Sequence, residues 1–270
     1  MNAGLMLQQI STGYARRPVL HDLSLERIAP GTLVALAGPN AVGKSTLLKA
    51  IAGLHPVQGR VLLDGIDLAR LPPRERLRRV GYLPQALPQA SSLVAYEAML
   101  SSLHASRPGL GRSQAEAAIE HTFATLGLKA LALRPLNQLS GGQRQMIGLA
   151  QVLVRAPRLL LLDEPTSALD LRWQLLVLQA VHALVAQGQT LALMAVHDLN
   201  LALRFCQQVV VLGPGRPHAR MLAAGRPAGV LTPELLRAAY GVQARVERCS
   251  RGHPLVLADS ALAIPDEDPR

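Results

Sequence analysis

Leu33-Val34-Ala35-Leu36-Ala37 runs directly into Gly38-Pro39-Asn40-Ala41-Val42-Gly43-Lys44-Ser45-Thr46, and that loop runs into a helix-compatible stretch over 47–54. Five consecutive apolar residues stopped by glycine and proline read as a short buried strand, so the segment spells strand, glycine loop, helix. Gly38, Gly43, Lys44 and Ser45 satisfy the spacing GxxxxGK[ST]. Glycines let backbone N–H groups curl around phosphate oxygens, and the helix N-terminus adds its partial positive charge. The lysine reaches the β- and γ-phosphates of a nucleotide, and the hydroxyl is placed for Mg2+. Pro39, Asn40, Ala41, Val42 and Thr46 complete the cradle. The alternative is a plain glycine turn before a helix. At this glycine and lysine content a chance match has a probability of roughly 0.2%, so the segment is read as a phosphate loop.

Two further apolar runs, 159–162 and 191–196, end in Asp163-Glu164 and His197-Asp198. Polar groups therefore collect just past the ends of presumed strands, the edge where open α/β sheets bind ligands. Between those runs Leu171, Leu175, Leu178, Val181, Leu184 and Val185 recur at the three-and-four spacing of an amphipathic helix. The β-α-β alternation predicts a parallel sheet with covering helices. Asp163 is placed to hold a Mg2+ shell and Glu164 to orient or deprotonate a water. Taken alone, the pair could also be capping acids at a helix start.

Residues 86–156 read differently, with helical candidates over 91–103, 113–126 and 141–154 and no convincing strand, which suggests a helical subdomain inserted into the α/β core. After Leu212 come a loop with Gly213-Pro214-Gly215 and Arg216-Pro217, then Thr232-Pro233-Glu234-Leu235-Leu236, with Thr232 as N-cap and Pro233 in the first helical position. The acidic end, Pro265 to Arg270, is expected to fray.

The 270 residues are 49% hydrophobic, 17% charged and 3% aromatic, a composition that rules out disorder over most of the length. No apolar run reaches the length of a membrane span, and no export signal is visible at the start. Two cysteines, Cys206 and Cys249, make no disulfide framework and imply free thiols in a reducing compartment, the cytosol. The net charge of +10 suits an anionic ligand, nucleic acid or an anionic membrane surface and selects none of them. Lysine occurs only at Lys44, Lys49 and Lys129, so the arginine excess reads as compositional bias, and the lysine inside the glycine loop stands apart from it.

Leu139-Ser140-Gly141-Gly142-Gln143-Arg144-Gln145 precedes the strand with its Asp163-Glu164 pair, and Ser167-Ala168-Leu169-Asp170 and His197 follow in order. With the phosphate loop, this set resembles the ATP-binding cassette (ABC) ATPases over nearly the whole chain. The resemblance implies an α/β fold: a P-loop NTPase core with a parallel sheet, an N-terminal antiparallel β portion and an inserted helical subdomain. It divides the chain into a core at about 1–85 and 156–215, an insert at about 86–155 and a C-terminal extension at about 216–270. It also implies ATP and Mg2+ as cofactors. Tyr14 would stack on adenine. Gln85, in Tyr82-Leu83-Pro84-Gln85, would reach the Mg2+ and lytic-water region with Ser45 and Asp163. His197 would contact the γ-phosphate and hold the water. Ser140, Gly141, Gly142 and Gln143 would approach a nucleotide held by a second ATPase subunit, and Asp170 would lie at the subunit junction. Ala41 departs from the glycine that the family very often has there.

Beyond these motifs, residues 196–202, a glycine-bearing hairpin region, and Leu231 to Leu236 with Tyr240-Gly241-Val242 look like the ATPase subunits of bacterial importers for iron-siderophores, haem and cobalamin. That likeness implies a homodimer on the cytoplasmic face of the inner membrane, docked on integral-membrane permease subunits. A periplasmic or extracellular solute-binding protein would be an indirect partner, and no nucleic acid is expected. The alternatives are a soluble ABC-type mechanoenzyme acting on DNA or ribosomes, or an ABC ATPase for another solute.

Overall fold

The structure, a computed structural model, describes residues 3–14, 17–87, 91–167, 169–215 and 217–262. Expectations that touch Ala168, Arg216 and the end from Pro265 lie outside the described residues. Strands β1 (Leu5–Tyr14), β2 (Arg17–Ile28), β4 (Gln58–Leu63) and β5 (Ile66–Asp67) form an antiparallel sheet in the order β2-β1-β4-β5. Strands β3 (Leu33–Ala37), β6 (Val80–Leu83), β7 (Leu159–Leu162), β8 (Leu191–Ala195), β9 (Gln208–Gly213) and β10 (Arg220–Gly225) form a second sheet, ordered β10-β9-β3-β8-β7-β6. Only β10 runs antiparallel in it.

Every residue of β3, β7 and β8 is buried, because both faces of this sheet are covered. Alternate residues serve different cores. Val34, Leu36, Leu161 and Leu193 pack with the antiparallel sheet and with α1 (Lys44–Ala52). Leu33, Ala35, Leu160, Leu162 and Met194 pack on the other side with the helices. That side carries α3 (Ala95–Ser106), α4 (Arg112–Thr125) and α5 (Gly141–Leu153), all inserted between β6 and β7, and α6 (Leu171–Ala186). The short α2 (Pro73–Arg79) leads into β6. The chain closes with α7 (Leu199–Phe205), α8 (Pro227–Val230), α9 (Pro233–Tyr240) and a hairpin of β11 (Val242–Arg248) and β12 (Pro254–Ala261).

Thr232 caps α9 through a bond from the Leu235 amide at 3.2 Å, with Pro233 in the first turn, as its sequence signals. Cys206 and Cys249 are free thiols, and burial pushes that of Cys206 up to about 12. Two readings shift. The helix expected over 91–103 begins only at Ala95, because residues 91–95 pair with the segment 134–137. Leu136 N–H donates to Leu93 O (2.9 Å), and Ala95 N–H donates to Arg134 O (3.0 Å). A pairing across forty residues leaves no periodic trace. The β11–β12 hairpin was not anticipated either, since β12 is mostly exposed and lacks a buried-strand pattern.

Candidate nucleotide-binding and hydrolysis site

Because β3, β8, β7 and β6 are parallel and in register, their C-terminal ends deliver Gly38, His197, Asp163-Glu164 and Gln85 to one edge of the sheet. The phosphate loop leaves β3 there and starts α1. A side chain at Gly38 (φ 146°) would put its Cβ 2.4 Å from Leu212 O, and at Gly43 (φ 106°) 2.6 Å from Val19 Cγ1, so both positions require glycine. Lys44 is 4% exposed. Its ammonium donates to Gly38 O (2.7 Å) and Pro39 O (3.1 Å). Burial lowers its pKa, opposed by the nearby carboxylates of Glu164 and Asp163.

Ala41 adopts φ 60°, a left-handed conformation that costs a non-glycine residue about 1 kcal/mol. Glycine there relieves the strain but has more freedom to lose on folding, by roughly 0.4–1 kcal/mol. Ala41→Gly is therefore expected to change stability by less than about 1 kcal/mol and not to lower ATP turnover, as urea melts and a phosphate-release assay would read. A clear loss of either would contradict this account of the loop.

Asp163 is 2% exposed and accepts Ser45 Oγ–H on Oδ1 (2.7 Å) and Tyr82 O–H on Oδ2 (3.0 Å). Residues 163–167 form a bend and a turn, and α6 begins only at Leu171, so the capping-acid alternative for this pair falls. Among the described residues no group of three acidic, histidine or cysteine side chains could cage a metal ion. A hydroxyl beside one carboxylate instead fits Mg2+, which keeps several waters and takes the rest of its shell from substrate phosphates. Glu164 sits at φ 50° and is 9% exposed. Its carboxylate accepts Gln85 Nε2–H on Oε2 (2.5 Å), and His197 Nε2 lies 2.5 Å from Oε1. Gln85, Glu164 and His197 are thus in direct contact although they are far apart in sequence.

These groups line a cavity of about 430 Å3 with Asn40, Ala41, Lys44 and Tyr14. Tyr14 is 54% exposed at its lip, its ring 4.6 Å from that of His55 and tilted by 51°, while His55 Nε2 bonds to Gly13 O (2.8 Å). Burial and the Asp163 carboxylate both raise the pKa of Tyr82, which keeps it a proton donor. Tyr82 and His55 are not marked as site residues by the sequence alone. The signal for Tyr82 was its place two residues before Pro84-Gln85, but its contact depends on β6 lying beside β7, which only the fold supplies.

Ser140, Gly141, Gly142 and Gln143 do not line this cavity. Ser140 caps α5 in a capping box: its Oγ accepts Gln143 N–H (3.3 Å) and its own N–H donates to Gln143 Oε1 (3.0 Å). A Cβ at Gly142 would meet the Trp173 ring at 2.5 Å, whereas Gly141 faces open space. Asp170 caps α6 by accepting Trp173 N–H at 2.9 Å.

The ABC transporter family profile matches residues 20–167, more than half of the chain. The chain belongs to the ABC transporter family. As a member of this family it binds nucleotide and is an ATPase. It is 40% identical over 263 residues to the hemin import ATP-binding protein HmuV of Pseudomonas aeruginosa, a match covering 94% of this chain and 99% of that protein. It is 37% identical over 220 residues to the cobalamin import ATP-binding protein BtuD of Halobacterium salinarum, covering 81% of this chain and 54% of that longer one. In fold, it superposes on an inward-facing ABC transporter of proposed metal-chelate type with a TM-score of 0.80 at 23% identity, covering 96% of this chain and 98% of the other. An ATP-binding subunit of an ABC transporter gives a TM-score of 0.73 at 27% identity, covering 84% and 92%.

Proposed function

We propose that this ABC ATPase is the energy-coupling subunit of a membrane importer for a metal chelate, with haem the first candidate, cobalamin and iron-siderophore next. The observation that carries the solute class is the 40% identity, nearly end to end, with a hemin import ATP-binding protein. No helix among the described residues is long and apolar enough to cross a membrane. By analogy with the import ATP-binding relatives, the path through the bilayer is assigned to separate permease subunits, with this chain on their cytoplasmic face and a solute-binding protein acting from the other side. The three inserted helices, about 86–155, would form the docking subdomain.

In this reading, Lys44 and the loop amides hold the β- and γ-phosphates, and Tyr14 packs against adenine. Ser45 and Asp163, with Gln85 in the same region, would hold Mg2+, which would supply neutralising charge to phosphate oxygens. Glu164 takes a proton from water as the water oxygen attacks the γ-phosphorus and ADP leaves, while His197 orients that water. Ser140, Gly141 and Gly142 lie outside its cavity, which fits a site that one chain supplies only in part. A second copy arranged head to tail brings its Ser140 hydroxyl and glycine N–H groups to the γ-phosphate, with Asp170 at the junction. Hydrolysis removes the bridging phosphate, so the pair opens, and that motion drives the permease.

The test is uptake of radiolabelled haem, cobalamin and iron-siderophore by a strain lacking this protein and any redundant cassette. Loss of one of these, restored by the parent gene and not by a Lys44→Ala copy, is expected. Unchanged uptake of all three would refute the importer assignment and leave the ATPase standing.

A further inference from the structure

The matched family region ends at Ser167, so it assigns nothing to α7 or to the C-terminal hairpin. Yet α7 begins two residues after His197, whose ring nitrogen contacts Glu164. This helix has seven residues, too few to hold its own shape, and only Ala202 in it is buried. Its N-terminus is fixed from two directions. Asp198 accepts the amides of Asn200 (2.8 Å) and Leu201 (3.3 Å). The Asn200 side chain then spans to β12: Nδ2 donates to Val256 O at 3.2 Å, and Val256 N–H donates to Oδ1 at 2.8 Å. Val256 is paired in register with Val246 of β11, so the asparagine amide acts as a one-residue third strand on the other edge of the hairpin. The same C-terminal unit reaches the phosphate loop. Tyr240, the last residue of α9, has its hydroxyl buried near the Gly38 amide without a well-formed hydrogen bond.

We propose that the β11–β12 hairpin is a positioning element of the hydrolytic site, which acts through the two Asn200–Val256 hydrogen bonds to fix α7 and hence His197 against Glu164. Asn200 is a positioning residue and touches no substrate. The inference rests on the reading above that Glu164 and His197 serve hydrolysis. A misplacement of the order of an ångström at a reacting group costs up to about a hundredfold in rate, so two bonds remote from the nucleotide have leverage over turnover without touching affinity.

The experiment is a double-mutant cycle on the full chain, read by release of radiolabelled phosphate, which follows turnover over several decades. Asn200→Leu keeps the side-chain size and removes both bonds; Asn200→Ala removes them without risk of overfilling. Either is expected to lower kcat by roughly tenfold with KM for ATP within about twofold. In a His197→Ala background the same change should have little further effect, because the residue it positions is gone. A merely structural role would reduce activity by the same factor in both backgrounds, and that result would overturn the proposal. So would kcat within twofold of the parent in both Asn200 variants, or a rise in KM at constant kcat. A His197→Ala chain with parental turnover would instead overturn the underlying site reading, and is distinguishable because it appears before Asn200 is altered.

Discussion

Glu164→Gln is expected to lose a hundredfold or more in steady-state ATP turnover while keeping ATP affinity within about threefold of the parent. The side chain lies beyond the phosphate loop and touches Gln85 and His197, the groups placed with it around the lytic water in this reading. The amide has nearly the same shape and can still accept a hydrogen bond through its oxygen, so the loop and its lysine are undisturbed. What it cannot do is take a proton from water. Phosphate release and titration with a fluorescent ATP analogue separate the two quantities, and hydrolysis within threefold of the parent would refute the role of Glu164.

Lys44→Ala should show the opposite pattern, a loss of nucleotide affinity itself by a factor of roughly thirty or more, equivalent to about 2 kcal/mol. The ammonium is buried inside the loop, and burial lowers its pKa against the pull of two carboxylates. A cation held in so dry a place interacts strongly with an incoming triphosphate. Titration of the same analogue, with a thermal melt to establish that the variant is folded, reads the effect. An unchanged affinity would contradict the placement of Lys44 at the phosphates.

Much of this site was legible because its chemistry is local in sequence. The phosphate loop occupies nine consecutive residues that run from a strand into a helix, and Asp163-Glu164 and His197 each follow directly on an apolar run. Parallel strands then carry them to one edge with no further instruction. What was not legible depends on which elements become neighbours. The hydroxyl of Tyr82 finds Asp163 only because β6 and β7 are adjacent, and His55 finds Tyr14 across the turn that leads from α1 to β4. The left-handed conformation of Ala41 was visible only as a missing glycine. Asn200 stood in the sequence as one residue of a motif, and its partner Val256 lies in a strand too exposed to betray itself. Ser140 carries two readings at once: the capping box that starts α5 and the signature serine are the same side chain.

The central claim is that one chain holds half of a hydrolytic site and that ATP joins two. Sedimentation of the Glu164→Gln chain, with and without saturating ATP, tests it most directly, because a chain that binds but does not cleave should accumulate the closed pair. The account predicts monomer without nucleotide and dimer with ATP, and it predicts that Ser140→Arg in the same background binds ATP yet stays monomeric. A Glu164→Gln chain that remains monomeric with ATP bound, or a Ser140→Arg variant that dimerises as readily, would contradict it.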